Sequence, residues 1–186
     1  MNAVQKHISK IAMKKWILGL VIFSIFSCSQ QESKKANTAA YFDLSGYFEG
    51  EAIRLQKTNP TIIKSVTALA KAEQKTIKIS DWKTELSSFS NADINKASWK
   101  GDFIETSTNT LLSYATSNPK IPIKRIEIAK VNNQIKSIKI FKATENYLYV
   151  STDTLSYYPD SLYSIENLQN IKLLGEKKYQ ISGKFK

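Results

Sequence analysis

Apolar residues recur along the chain at two spacings, and the change between them marks the elements. From Asp43 to Gln56 they fall at Leu44, Phe48, Ala52 and Leu55, which is the pattern of one helix face. Gly46 and Gly50 each weaken such a helix by about 1 kcal/mol unless they permit close packing. Thr61 to Lys71 and Thr76 to Ser80 read as two strands around a polar turn, Ala72 to Lys75. Ser80 or Asp81 is placed to cap a short helix through Phe89, with Trp82, Leu86 and Phe89 on one side. Ser90 to Lys100 reads as a loop or a single helical turn carrying Ile94 and Trp99.

The rest alternates with the period of strands. Phe103–Ser107 and Leu111–Thr116 are short candidates, and Pro119 and Pro122 mark a break. Ile123–Val131 and Ile135–Phe141 form the strongest hairpin. A two-residue loop, Asn132-Asn133, would set Ile126 against Lys139. A three-residue loop including Gln134 sets Ile126 against Ile140, Ile128 against Ile138 and Glu127 against Lys139. The second register groups apolar residues on one face and pairs charges on the other, so it is the expected one. Tyr147–Tyr157 is a further strand, ending at a Pro159-Asp160 turn. Leu162–Leu168 has no clear period. Ile171–Leu174 and Lys177–Phe185 make a final hairpin about Gly175-Glu176, with Tyr179, Ile181 and Phe185 on one face. Eight or nine strands on short turns predict an α+β fold. Its sheet is a curved, mostly antiparallel β-sheet meander packed against one or two N-terminal helices.

The first residues follow a different rule. Met13-Lys14-Lys15 is a short basic segment, and Trp16–Phe26 is an apolar run of 11 residues broken only by Gly19 and Ser24. That run fits a signal-peptide core of about 7–15 residues and is too short for a membrane span of about 20. Met13 is an alternative start to Met1. Ser29 to about Ala40 (SQQESKKANTAA) is polar or small and aperiodic, and reads as a flexible tether reaching roughly 20 Å. The expected organisation is a signal peptide over 1–27, Cys28 and tether over 28–40, and one globular domain over 41–186.

Ile25-Phe26-Ser27-Cys28 resembles a bacterial lipobox, with Ile25 where Leu is commonest and Ser27 as the small residue before the cut. The resemblance implies a diacylglycerol on the Cys28 thiol, cleavage before it, and acylation of the new amine, which together give stable anchoring. Ser29 is not the Asp that signals inner-membrane retention in enteric lipoproteins. QQESKK lacks the acidic cluster that marks surface export in some Bacteroidetes lipoproteins. The implied location is the periplasmic face of the outer membrane. The full chain resembles small lipoproteins of the Bacteroidetes kind. The expected sheet-and-helix arrangement is similar to lipoprotein carriers of the Lol type in architecture alone.

Composition narrows the chemistry. The 186 residues hold one Cys and one His, with 42% hydrophobic and 11% aromatic residues, ample for a packed core. An intramolecular disulfide and a Cys/His zinc site are excluded. His7 leaves with the leader, so nucleophilic triads that need an imidazole are excluded as well. No metal, cofactor or catalytic residue is expected. Carboxylate pairs remain (Glu49/Glu51, Asp81/Glu85, Asp93/Asp102), as does Asp153 with Asp160 for calcium, but none has a motif's spacing.

The formal net charge is +11. The leader holds Lys6, Lys10, Lys14 and Lys15 and no acid; removing those four from 27 basic residues leaves 23 against 16 acids, a net of +7. Only Arg54 and Arg125 are arginines, which disfavours phosphate reading, and export disfavours nucleic acid. Lys172, Lys177, Lys178 and Lys184 are the candidates for a polyanion patch. Tyrosines gather in the last third, and Tyr147, Tyr149 and Tyr157 share a strand parity. With Leu44 and Phe48 they are the candidate lining of a ligand site. The expected function is a non-enzymatic envelope lipoprotein that binds an apolar or amphipathic ligand, or a protein partner, through its sheet face. A Lys-rich module for acidic envelope polymers is the alternative, and a glycan-acting hydrolase a distant one.

Overall fold

A computed structural model describes residues 40–68 and 71–186. The leader, Cys28 and the tether up to position 39 lie outside the described residues. Helix α1 (Leu44–Thr58) buries Leu44, Phe48, Ala52 and Leu55, the four residues the spacing selects. Asp43 caps it by accepting the Gly46 N–H at 2.8 Å. A Cβ at position 46 would run into the capping carboxylate, so Gly46 serves the cap. Asn59, left-handed at φ 45°, ends the helix and bonds back to the Leu55 carbonyl at 2.8 Å. The expected helix from Asp81 to Phe89 is two short pieces, α2 (Trp82–Glu85) and α3 (Ser87–Ser90), split at Leu86. A 3-10 turn follows at Ala97–Trp99.

Nine strands make one open, antiparallel sheet: β1 (Thr61–Ala68), β2 (Lys71–Lys78), β3 (Ile104–Ser107), β4 (Leu111–Ala115), β5 (Ile123–Val131), β6 (Gln134–Glu145), β7 (Tyr149–Tyr158), β8 (Leu162–Ile171) and β9 (Gly175–Phe185). The order is β2-β1-β9-β8-β7-β6-β5-β4-β3. From β3 to β9 it is a meander. The first hairpin, β1–β2, joins its far side through β1 and β9. Among the described residues strands make up 53% and helices 18%, so helices form a partial cover rather than a second full layer.

Strands β1 and β2 pair to their ends, with Ala68 opposite Lys71, so the expected turn residues Ala72 to Lys75 lie within β2. Ile62 pairs with Ile77 in this register, and the polar stretch becomes an edge strand carrying Lys71, Lys75 and Lys78. Lysines on an exposed edge discourage pairing with another chain. The β5–β6 hairpin satisfies both candidate loops. Its turn is the two residues Asn132 and Asn133, both with positive φ (50° and 62°). A bulge between Ala129 and Lys130 then shifts the register, so Ile126 faces Ile140, Ile128 faces Ile138 and Glu127 faces Lys139. The strand expected at Tyr147 begins at Tyr149, and Tyr147 lies in the β6–β7 turn. The segment without a clear period is β8.

One sheet face meets the helices. Ile62, Ile126, Ile128, Ile138, Ile140, Leu155, Tyr157 and Tyr163 are buried there with Phe48, Leu55, Trp82, Leu86 and Phe89. The opposite face is polar: a row across the sheet reads Glu127, Lys139, Ser156, Ser164, Ser182 and Ser65. This alternation is that of a sheet with one solvated side.

Candidate functional site

Two tyrosines on the covered face tie helices to the sheet. Tyr157 on β7 donates its hydroxyl to the Glu51 carboxylate on α1. Arg54 grips the same carboxylate from Nε and Nη2 at 2.8 and 2.9 Å, and its Nη1 reaches Asp160 at 2.8 Å. Tyr163 on β8 donates to Glu85 on α2, and Lys64 of β1 holds the other Glu85 oxygen at 2.7 Å. Each buried hydroxyl thus meets a carboxylate that is itself neutralised by a cation.

Burial alone would raise the Glu51 carboxyl, but hydrogen bonds from Arg54 and Tyr157 and the Arg54 charge outweigh it and hold the carboxyl below its ordinary range. Burial, then the bonds to Glu51 and Glu85, push the Tyr157 and Tyr163 hydroxyls well above theirs. Tyr47 is pushed up too, by burial and by the nearby Glu51 charge. Glu51 is therefore a charged, fully engaged anchor.

The helix-bearing face has a less buried side. Val66, Ile181 and Ile165 form a half-buried apolar row across β1, β9 and β8. The next row runs Ala68, Tyr179, Asn167, Asp153 and Lys142. Asn167 donates to Asp153 and, at 2.9 Å, to Ser151, and Lys142 lies 3.4 Å from Asp153. This polar cluster was not singled out from the sequence. The β6–β7 register places Lys142 opposite Asp153 and was the signal that could have found it.

The expected ligand residues divide into two places. Leu44, Phe48 and Tyr157 are in the core, where the Phe48 and Tyr157 rings meet edge-on at 5.1 Å. Tyr147 and Tyr149 stand at the far end of β7. With Glu145, Leu148, Val150, Asn170 and Lys172 they line a hollow of about 530 Å³. Register puts Glu145, Val150 and Asn170 on the side away from the helices, so this hollow is separate from the core. A second hollow, about 540 Å³, lies at the opposite end of the sheet between Tyr47, Glu51, Arg54, Lys136 and Asp160.

The expected polyanion lysines also divide. Lys172 is in the β8–β9 turn, 3.9 Å from the centre of the Tyr147 ring. Lys177 and Lys178 start β9 beside it. Lys184 sits seven residues further along the strand than Lys177, about 23 Å away. The candidate carboxylates are engaged singly. Asp81 caps α2 through Thr84, and its carboxyl is lowered by those bonds. Asp93 accepts from Asn95 and Asp102 from Asn118. Asp153 lies midway along β7, whereas Asp160 lies in the turn after it. Among the described residues, no group of three or more His, Cys, Asp or Glu could hold a metal ion, and no helix is long and apolar enough to cross a membrane.

No family model, no curated protein and no solved structure matches the chain.

Proposed function

We propose that the chain is a membrane-anchored envelope lipoprotein of the outer membrane. It is held on the periplasmic side through acylated Cys28. Its non-enzymatic α+β domain curves around its helices and takes an amphipathic ligand, or a partner, on the open part of the helix-bearing face. One observation carries the binding part. The sheet face that is sealed at Ile140 and Leu155 continues over the only half-buried Ile165, Ile181 and Val66, then turns polar at Asn167, Asp153 and Lys142. An apolar floor beside a short polar row suits a ligand with one apolar and one polar part.

The test is mass spectrometry of the full chain expressed in a diderm bacterium and purified from its envelope. The expected mass is that of a chain beginning at Cys28 and carrying acyl groups. Native spectra should show a further mass that solvent extraction removes, and Ile181→Lys should abolish it. An unmodified Cys28 would overturn the anchor. A chain bare of any co-purified species, with or without Ile181→Lys, would overturn ligand carriage.

A further inference from the structure

Surface turns are ordinarily polar. The two turns at the far end of β6–β9 are not. Tyr147 is 82% exposed, Leu148 64%, Leu173 97% and Leu174 68%. These four belong to two different hairpins that the sheet places side by side, since Tyr149 pairs with Ile171. The tips are also bonded to each other: the Lys172 N–H donates to the Leu148 carbonyl at 3.0 Å. Lys172 lies against the Tyr147 ring, joining the tips a second time. The apolar residues are thus held together on a paired backbone rather than scattered.

Their neighbours name the occupant. Lys172, Lys177 and Lys178 surround the tips, against Glu145 and Glu176, so the end carries an excess of positive charge. Exposed leucines and a tyrosine on the turns, with lysines among and beside them, are the side chains that suit a bilayer surface. Leucines enter the acyl boundary, tyrosine sits at headgroup level, and lysine stems extend their ammonium groups back to phosphate.

We infer that the paired β6–β7 and β8–β9 tips form a bilayer-contact site that inserts Tyr147, Leu148, Leu173 and Leu174 into an anionic lipid surface. The inference draws on the envelope reading only for the presence of a membrane, and it does not require Cys28 to be acylated.

The test uses the full chain carrying Cys28→Ser, which removes both the anchor and the only cysteine. A polarity-sensitive fluorophore is attached at Leu173→Cys, or at Ser161→Cys in the exposed turn at the opposite end. Each protein is mixed with vesicles of equal parts phosphatidylcholine and phosphatidylglycerol, or of phosphatidylcholine alone. The expected result is a blue-shifted, brighter signal at position 173 on the anionic vesicles and none at position 161. Adding Tyr147→Asp and Leu174→Asp should weaken that response at least about tenfold, with the thermal melt unchanged.

A silent probe at position 173 overturns the inference, whether or not the apolar leader carries the chain onto vesicles. So does an equal response on neutral vesicles, or at both labelled ends. None of these results depends on what the mass of Cys28 shows, so the anchor and the tip site fail separately.

Discussion

The hydroxyl of Tyr157 on β7 donates to the Glu51 carboxylate on α1, across 106 residues of sequence. It is the bond that locks the first helix to the middle of a sheet built later in the chain. Tyr157→Phe removes the donor and leaves the ring packing intact. The expected loss is about 1.5–3 kcal/mol, the range for a hydrogen bond to a charged group. Glu51→Gln should cost at least as much, because it also leaves Arg54 without its bidentate partner. A double-mutant cycle in urea measures the coupling. A coupling near zero would mean the bond contributes nothing in water.

The same carboxylate sets an acid limit. The Glu51 carboxyl is lower in the folded chain than its ordinary value near 4.5. The folded state therefore binds fewer protons than the unfolded state in the interval between the two. Its contribution is complete above about 4.5 and is lost as pH falls through the folded value. Melting temperatures between neutral and acid pH should fall less steeply for Glu51→Gln than for the parent chain. Parallel curves would contradict the assignment.

At the alkaline end the sign reverses. Tyr47, Tyr157 and Tyr163 are raised above their ordinary value near 10, by burial first. Their neutral forms favour the folded state, so this stability is complete below about 10 and lost as pH rises toward the folded values. Absorbance titration at phenolate wavelengths should show Tyr47, Tyr157 and Tyr163 ionising only as the chain unfolds. A single smooth titration of all nine tyrosines near 10, with the fold retained, would be the contrary result.

Gly183 on β9 is buried directly beneath the Tyr163 ring, and a Cβ there would sit inside that ring. Gly183→Ala should cost about 1–3 kcal/mol, in the range of core overpacking. In a Tyr163→Leu background the same change should cost much less, since the obstructing ring is gone. Chemical denaturation of the four proteins decides it. An equal cost in both backgrounds would locate the strain elsewhere.

The β5–β6 turn offers a stabilising change. Asn133 has φ 62° in a two-residue turn, a conformation that glycine adopts without a steric penalty. Asn133→Gly should leave stability unchanged or slightly raised, whereas Asn133→Val should lower it by about 1–2 kcal/mol. The comparison of the two melts is the measurement, and a Val variant as stable as Gly would contradict the turn geometry.

Much of the fold was legible because it is local. The spacing of Leu44, Phe48, Ala52 and Leu55 defines α1, and alternation defines most strands. Pairing preferences chose the Ile126–Ile140 register, although reaching it took a bulge that alternation does not reveal. The site was less legible. Tyr149 and Tyr157 share a strand parity, yet they lie at opposite ends of β7, one beside a hollow and the other under a helix. Parity names a face and says nothing about which length of that face the helices cover. The four candidate lysines illustrate the same point, since Lys184 is a strand's length from Lys172.

The sequence by itself determined α1 and most of the strands, their apolar sides and the leader-like composition ahead of position 40. These follow from side-chain period and local chemistry, which need no distant partner. Tertiary structure alone decided that β1 closes against β9, that Glu51 meets Tyr157 and Glu85 meets Tyr163, and that two apolar turns stand together at one end. Those pairings join residues far apart in the chain. They depend on how the strands order themselves in the sheet and on how far the short helices reach across it, and neither is written in any local window.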